Sequence, residues 1–115
     1  MSKKHQLIAT AFDKKGNIIG AGVNDYKKSH PLMKLYSDKV KDTSGRIYKH
    51  AELSAVLSSG NKVIHSVLVQ RFDAKGNPAL AKPCKICEAM LRDFGVKFVR
   101  YTSSEGTQRD DYWKV

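Results

Sequence analysis

Apolar residues open the chain as a short run, Leu7-Ile8-Ala9-Thr10-Ala11-Phe12, which stops at Asp13-Lys14-Lys15-Gly16-Asn17 and resumes as Ile18-Ile19-Gly20-Ala21-Gly22-Val23. Two apolar runs joined by residues of turn chemistry predict an antiparallel hairpin over residues 6–23. Gly20 and Gly22 fall on one face of the return strand, where a missing Cβ admits the close approach of other backbone. From Asp25 to Lys49 the pattern fades, and the segment reads as a long polar loop, with Leu32-Met33-Lys34-Leu35-Tyr36 as a helical turn lidding whatever lies beneath it. A loop of that length in a small domain is more often functional than idle.

The apolar spacing then takes on a helical period. Leu53, Val56 and Leu57 recur at i, i+3 and i+4 within Tyr48 to Ser59, and Gly60 is placed to stop that helix. Val63-Ile64-His65-Ser66-Val67-Leu68-Val69 is nearly continuous, as expected of a central strand covered on both faces; His65 within it reads as a hydrogen-bonded sheet histidine. Beyond a turn-rich stretch from Asp73 to Pro78, Ile86, Ala89, Met90 and Phe94 mark a second helix from about Cys84 to Phe94, with Gly95 as its stop. Val96 to Tyr101 is the next strand. Ser103 to Asp111 is polar and reads as irregular, and Tyr112-Trp113 reads as a segment that docks back on the domain or meets another subunit. Strand, helix, strand, helix, strand implies an α/β protein with right-handed crossovers, both helices starting at one sheet edge, where a ligand site is expected.

With 115 residues, the chain (1–115) is expected to form one domain around one core. No apolar run approaches the roughly 18 residues of a membrane span. Met1-Ser2-Lys3-Lys4-His5 leads into a strand without the apolar core of a signal peptide, so a cytoplasmic protein with no membrane partner is expected. The formal charge is +10, from 21 Lys and Arg against 11 Asp and Glu. Such a surface attracts phosphate-bearing ligands, nucleotide or nucleic acid alike, in a salt-dependent way, and is also compatible with a merely solvated basic exterior.

Both cysteines lie in Pro83-Cys84-Lys85-Ile86-Cys87, and a histidine and a carboxylate lie close together in His50-Ala51-Glu52. Cysteines three apart at a helix start put two soft ligands on one face, and the helix N-terminus favours their thiolate forms. A redox pair or a disulfide is the competing reading of C-x-x-C, but neither would need His-Ala-Glu elsewhere. With His50 the set becomes His/Cys/Cys, three protein ligands that leave the fourth tetrahedral position of zinc open for water, as a catalytic site requires. Glu52, two residues after His50 and roughly 200° round a helix from it, is turned away from joint chelation and left for proton transfer.

His50, Glu52, Pro83, Cys84 and Cys87 match each position of the H-x-E…P-C-x-x-C signature of zinc deaminases. The chain resembles the cytidine/deoxycytidylate deaminase superfamily, and within it short phage-type deoxycytidylate deaminase-like proteins, through Lys49-His50-Ala51-Glu52, Leu80-Ala81-Lys82-Pro83-Cys84-Lys85-Ile86-Cys87 and Gly95-Val96-Lys97-Phe98-Val99-Arg100-Tyr101. The resemblance spans roughly the whole chain. It implies a three-layer α/β/α cytidine-deaminase-like fold, with a mixed sheet of about four to five strands and an N-terminal hairpin. It implies Zn2+ held by His50, Cys84 and Cys87, with Glu52 as the catalytic proton shuttle. Asn24 resembles the asparagine that contacts the substrate sugar, although an asparagine ending a strand is also an ordinary turn former. The backbone amide of Ala51 corresponds to a contact to the base carbonyl.

Lys27 and Lys28 are candidates for a nucleotide phosphate, with His30 assisting, against the ordinary reading of loop charges as solvated. Phe72, Leu80 and Ala81 are candidates to line a pyrimidine pocket. The activity implied is hydrolytic deamination of cytosine to uracil in a free pyrimidine nucleotide, deoxycytidine monophosphate first among them. Two alternatives stay open: a deaminase of single-stranded DNA or RNA, for which the charge speaks but the loop offers only Tyr26 and Tyr36 as stacking aromatics, and a catalytically silent zinc-bearing binding domain, against which the intact Glu52 speaks. Relatives commonly assemble, so a homo-oligomer is also open.

Overall fold

The two turns rich in Asp, Lys, Gly and Asn decide much of the strand pairing. The computed structural model describes residues 6–29, 31–40 and 48–112. Strand β1 (Gln6–Phe12) turns through Asp13–Asn17 into β2 (Ile18–Val23), and Phe12 and Ile18 face each other across the turn. The Asp13 carboxylate accepts hydrogen bonds from the Lys15 and Asn17 amides at 2.9 and 2.8 Å, and Gly16 takes φ +86°, which a side chain would oppose. Asp73-Ala74-Lys75-Gly76-Asn77 builds the same turn: Asp73 accepts from Lys75 and Asn77 at 2.9 Å each, and Gly76 lies at φ +84°. What reads in the sequence as a turn-rich loop is thus a second hairpin, joining β5 (Ser66–Phe72) to the two-residue β6 (Pro78–Ala79).

The main sheet runs β2-β1-β5-β7-β8, with β7 at Phe98–Ser103 and β8 at Gly106–Asp111. β1 is antiparallel to both neighbours, β5 and β7 are parallel, and β8 returns antiparallel on β7. With β6 extending the β7 edge beside β5, the mixed sheet has six strands rather than four to five. The additional strands are β6, too short to show a pattern, and β8, which corrects the irregular reading of Ser103 to Asp111. β8 is an edge strand and largely exposed, so burial never imposes an alternation on its sequence.

The central strand starts later than expected, at Ser66. Val63 is 83% exposed, while Val67 and Val69 are fully buried on the face that meets the helices. Leu68 and Gln70, on the opposite face, are only partly covered, so β5 is less enclosed than its apolar run implies.

The segment from Asp25 to Lys49 is not a plain loop. It contains β3 (Asp25–Ser29), α1 (Pro31–Lys39) and β4 (Tyr48–Lys49), and β3 pairs with β4 in a separate two-stranded sheet. Proline at the first helical position suits α1, because its missing N–H would have no partner there. Met33 and Tyr36 bury into the core, so α1 is a structural helix rather than a lidding turn. It packs against α3 (Lys85–Asp93), and Lys39 ion-pairs with Asp93 at 2.7 Å.

Helix α2 (Ala51–Ser58) lies across the β1–β2 hairpin. A Cβ on Gly20 would stand 2.7 Å from the Ala55 carbonyl oxygen, and one on Gly22 would overlap Ser54 Cβ and stand 2.7 Å from the Ala55 amide nitrogen. The Ser58 hydroxyl accepts from the Ala21 amide at 2.8 Å and donates to the Ala21 carbonyl at 2.9 Å, fastening the helix to the strand it touches. Gly22→Ala is therefore expected to destabilise the fold by about 1–3 kcal/mol through overpacking. Denaturant unfolding of the variant checks this, and an unchanged midpoint would contradict the close contact.

Candidate active site

Helices α2 and α3 begin with residues that do not cap them. N-cap positions favour Ser, Thr, Asp or Asn, whose side chains accept a hydrogen bond from the first turn. Here His50 (φ −75°, ψ 156°) and Cys84 (φ −70°, ψ 171°) hold the extended N-cap backbone, and neither side chain makes a capping bond. Their side chains turn instead toward each other. His50 Nδ1 lies 3.2 Å from Cys87 Sγ and 3.7 Å from Cys84 Sγ.

The three donor atoms are all within 4.8 Å of one another, and they form the one cluster of three such metal-capable groups among the described residues. One imidazole nitrogen and two sulfurs at this separation are a donor set for zinc. The cysteines form no disulfide. Chemistry and spacing therefore fit Zn2+ and disfavour the redox-pair reading of Cys84 and Cys87.

Burial sets the electrostatics. His50 is 8% exposed, Glu52 3%, and Cys87 fully buried. A hydrogen bond from Cys87 holds the Cys84 thiol down to about 4, with His50 adding to the effect against the cost of burial. The Cys87 thiol is pushed well up, first as the donor in that bond and then by burial. Without metal the pair thus shares one proton, Cys84 as thiolate and Cys87 as thiol. Burial also raises the Glu52 carboxyl above its ordinary range, opposed by the nearby His50. The amide ends of two helices converge on this spot, adding positive potential.

A cavity of about 160 Å³ opens onto the cluster. His50, Ala51, Glu52 and Cys84 form its base, Leu7 and Asn24 come from the hairpin, and Arg71, Leu80, Ala81 and Lys82 come from the β5–β6 hairpin and the segment after it. Glu52 thus shares one cavity with two of the metal donors, His50 and Cys84, while Cys87 is fully buried, and Leu80 and Ala81 line the cavity as expected. Phe72 does not line it: the alternation along β5 turns it away from Arg71, and it stays exposed.

Asn24 is at the cavity wall, where its side-chain carbonyl accepts from the Leu7 amide at 3.0 Å, so it serves the strand end as well as facing the site. The pairing of Asp25 with Lys49 brings the residues next to Asn24 and His50 together. Lys27 and Lys28 have backbones in β3, but their side chains, like His30 and Trp113, lie outside the described residues. Tyr112 docks back on the domain, buried beneath the Arg92 guanidinium at 4.6 Å from its ring centre. His65, expected within the central strand, falls one residue before β5, its backbone bonded to Phe12 and Lys97 and its ring edge-on to Phe98 at 5.6 Å.

Two lining residues escape a reading by motif, Arg71 and Lys82. Arg71 could have been placed by strand parity, since positions 67, 69 and 71 of one strand share a face. Lys82 lies within the matched stretch before Pro83 but belongs to no signature position.

The chain's likeness to known structures is of fold. The crystal structure of cytidine deaminase from Mycobacterium leprae superposes with a TM-score of 0.54 at 18% identity, covering 92% of this chain and 75% of that one. Cytidine deaminase from Mycobacterium tuberculosis superposes at 0.52 and 17%, covering 92% and 72%, and a mutant of the same enzyme matches equally well. No protein-family model and no curated relative matches the sequence. The chain has the cytidine deaminase fold, mixed α/β with an N-terminal hairpin, and carries a zinc-type donor set where its two motif helices begin.

Proposed function

We propose that the protein is a zinc-dependent hydrolytic deaminase that converts cytosine to uracil in a free pyrimidine nucleotide, deoxycytidine monophosphate to deoxyuridine monophosphate. The observation that carries this reading is the clustering of His50, Cys84 and Cys87 beside a cavity that His50 and Cys84 line together with the buried Glu52. The cavity of about 160 Å³ has room for a pyrimidine ring beside His50 and Glu52. Zinc bound by His50, Cys84 and Cys87 supplies the Lewis acidity that makes water a nucleophile near neutral pH.

The residues of the chain do the rest. Glu52 takes a proton from the water that adds to C4 of the base, and returns protons to N3 and to the departing amine, so that cytosine and water give uracil and ammonia. Its burial, which raises its affinity for the proton, suits a group that must both accept and release one. The Ala51 amide, at the start of α2, faces the base carbonyl, and Asn24 faces the sugar. The remaining helix-start amides favour electron-rich groups of the substrate at this end of the cavity.

Ammonia release from deoxycytidine monophosphate, cytidine monophosphate, deoxycytidine and a cytosine-containing single strand tests the reading. Turnover of a free monophosphate is expected, and silence on all free forms would overturn it. The charge of +10 favours one second reading, deamination within single-stranded nucleic acid. Activity confined to the oligonucleotide, with binding that persists at moderate salt, would establish that reading instead.

A further inference from the structure

We propose that Arg71, with Lys82 beside it, forms a phosphate-binding subsite at the mouth of the cavity and selects a nucleoside monophosphate over the nucleoside; the assignment rests on the nucleotide reading above. Arg71 is held at a junction of three strands. The Thr102 hydroxyl on β7 accepts from the Arg71 amide at 2.9 Å and donates to the Ala79 carbonyl on β6 at 2.8 Å. Pairing of Arg71 with Leu7 sends its side chain to the helix side of the sheet, into the cavity shared by His50 and Glu52.

The guanidinium is only partly used. Nη1 donates to the Leu80 carbonyl at 3.3 Å, while Nε is buried with no partner among the described residues. No carboxylate of those residues ion-pairs with it. A buried donor left unmade is costly, and a guanidinium with donors to spare binds phosphate through charge-assisted hydrogen bonds. Arg100 also has a buried Nε without a partner, but it pairs with Leu68 on the other face of the sheet and stacks on Phe12, away from the cavity.

Lys82 supplies a second cation. Its contact to Asp110 is long, at 3.8 Å, and half exposed, so little holds it there. Among the described residues, Glu52 is the only acidic side chain lining the cavity. Arg71, half-buried, and Lys82, exposed, line the same cavity as His50 and Glu52, so a sugar phosphate carried by a base bound there has both cations within the site. Lys27 and Lys28, the cations that the sequence suggests for this task, have side chains outside the described residues.

The test compares binding of deoxyuridine monophosphate and deoxyuridine, measured by calorimetry on the zinc-loaded native protein and on Arg71→Gln, Arg71→Lys and Lys82→Gln. The native protein is expected to prefer the monophosphate by at least about tenfold, as a charge-assisted bidentate contact would give. That ratio should fall to within about twofold of unity in Arg71→Gln, recover in part in Arg71→Lys, and drop several-fold in Lys82→Gln. Inorganic phosphate should compete with the monophosphate on the native protein and not on Arg71→Gln. Equal native affinities for the two ligands, or an undiminished ratio in Arg71→Gln, would overturn the subsite. Because these readouts are of binding, monophosphate selectivity that depends on Arg71 without any ammonia release would leave the subsite standing and fell the deaminase reading alone.

Discussion

Glu52→Gln is expected to lower deamination by about 10²–10⁴-fold while leaving zinc content unchanged, because the amide keeps the shape of the carboxyl and cannot carry the proton. Ammonia release alongside metal analysis checks it, and a loss smaller than tenfold would move proton transfer to another group. Stability should move the other way. Folding raises the Glu52 carboxyl above its ordinary range through burial. A group whose folded pKa lies above its unfolded value stabilises the protein below the unfolded pKa, and loses that contribution as pH rises through the folded one. The variant does not titrate there, so in zinc-free protein its stability relative to the native chain should improve from pH 4 toward neutrality.

Cys87→Ser is expected to abolish stoichiometric zinc and, with it, activity. Of the two thiols Cys87 is the fully buried one and the nearer to His50, and a serine hydroxyl is a poor substitute for a thiolate at this ion. Metal analysis after dialysis would show it, and a variant that held one zinc per chain would remove Cys87 from the ligand set. The same site predicts a pH dependence. Cys87 is protonated in the metal-free protein at neutral pH, whereas Cys84 is already a thiolate. Zinc must therefore displace one proton, and its apparent affinity should fall about tenfold per pH unit on acidification from about pH 8 to 7.

How much of this was legible in the sequence depended on whether chemistry or burial wrote the signal. His50, Glu52, Cys84 and Cys87 are readable because they fill a known signature, and the fold gathers its histidine and both cysteines where two helices start. Gly20 and Gly22 announced the approach of α2, which lies close enough to exclude a Cβ at either position. α1 was hidden because Met33 and Tyr36, its buried residues, sit among lysines and polar neighbours that dilute the helical period. β8 was hidden because its side chains face water for most of its length, and its partner strand alone makes it a strand. Arg71 carries no motif. Its face follows from strand parity with Val67 and Val69, and its pairing with Leu7 puts it on the helix side of the sheet.

The donor atoms come from two places in the chain, with His50 and Cys84 separated by 34 positions. An ion held by both is a cross-link as well as a reagent. It closes a loop that contains α2, β5 and β6, and on a chain-entropy estimate a closure of that size restricts the unfolded state by about 4 kcal/mol at 25 °C. The first hairpin and the returning edge strand lie outside the loop. Loss of the ion should loosen the starts of α2 and α3, where its donors sit, before the paired strands between them.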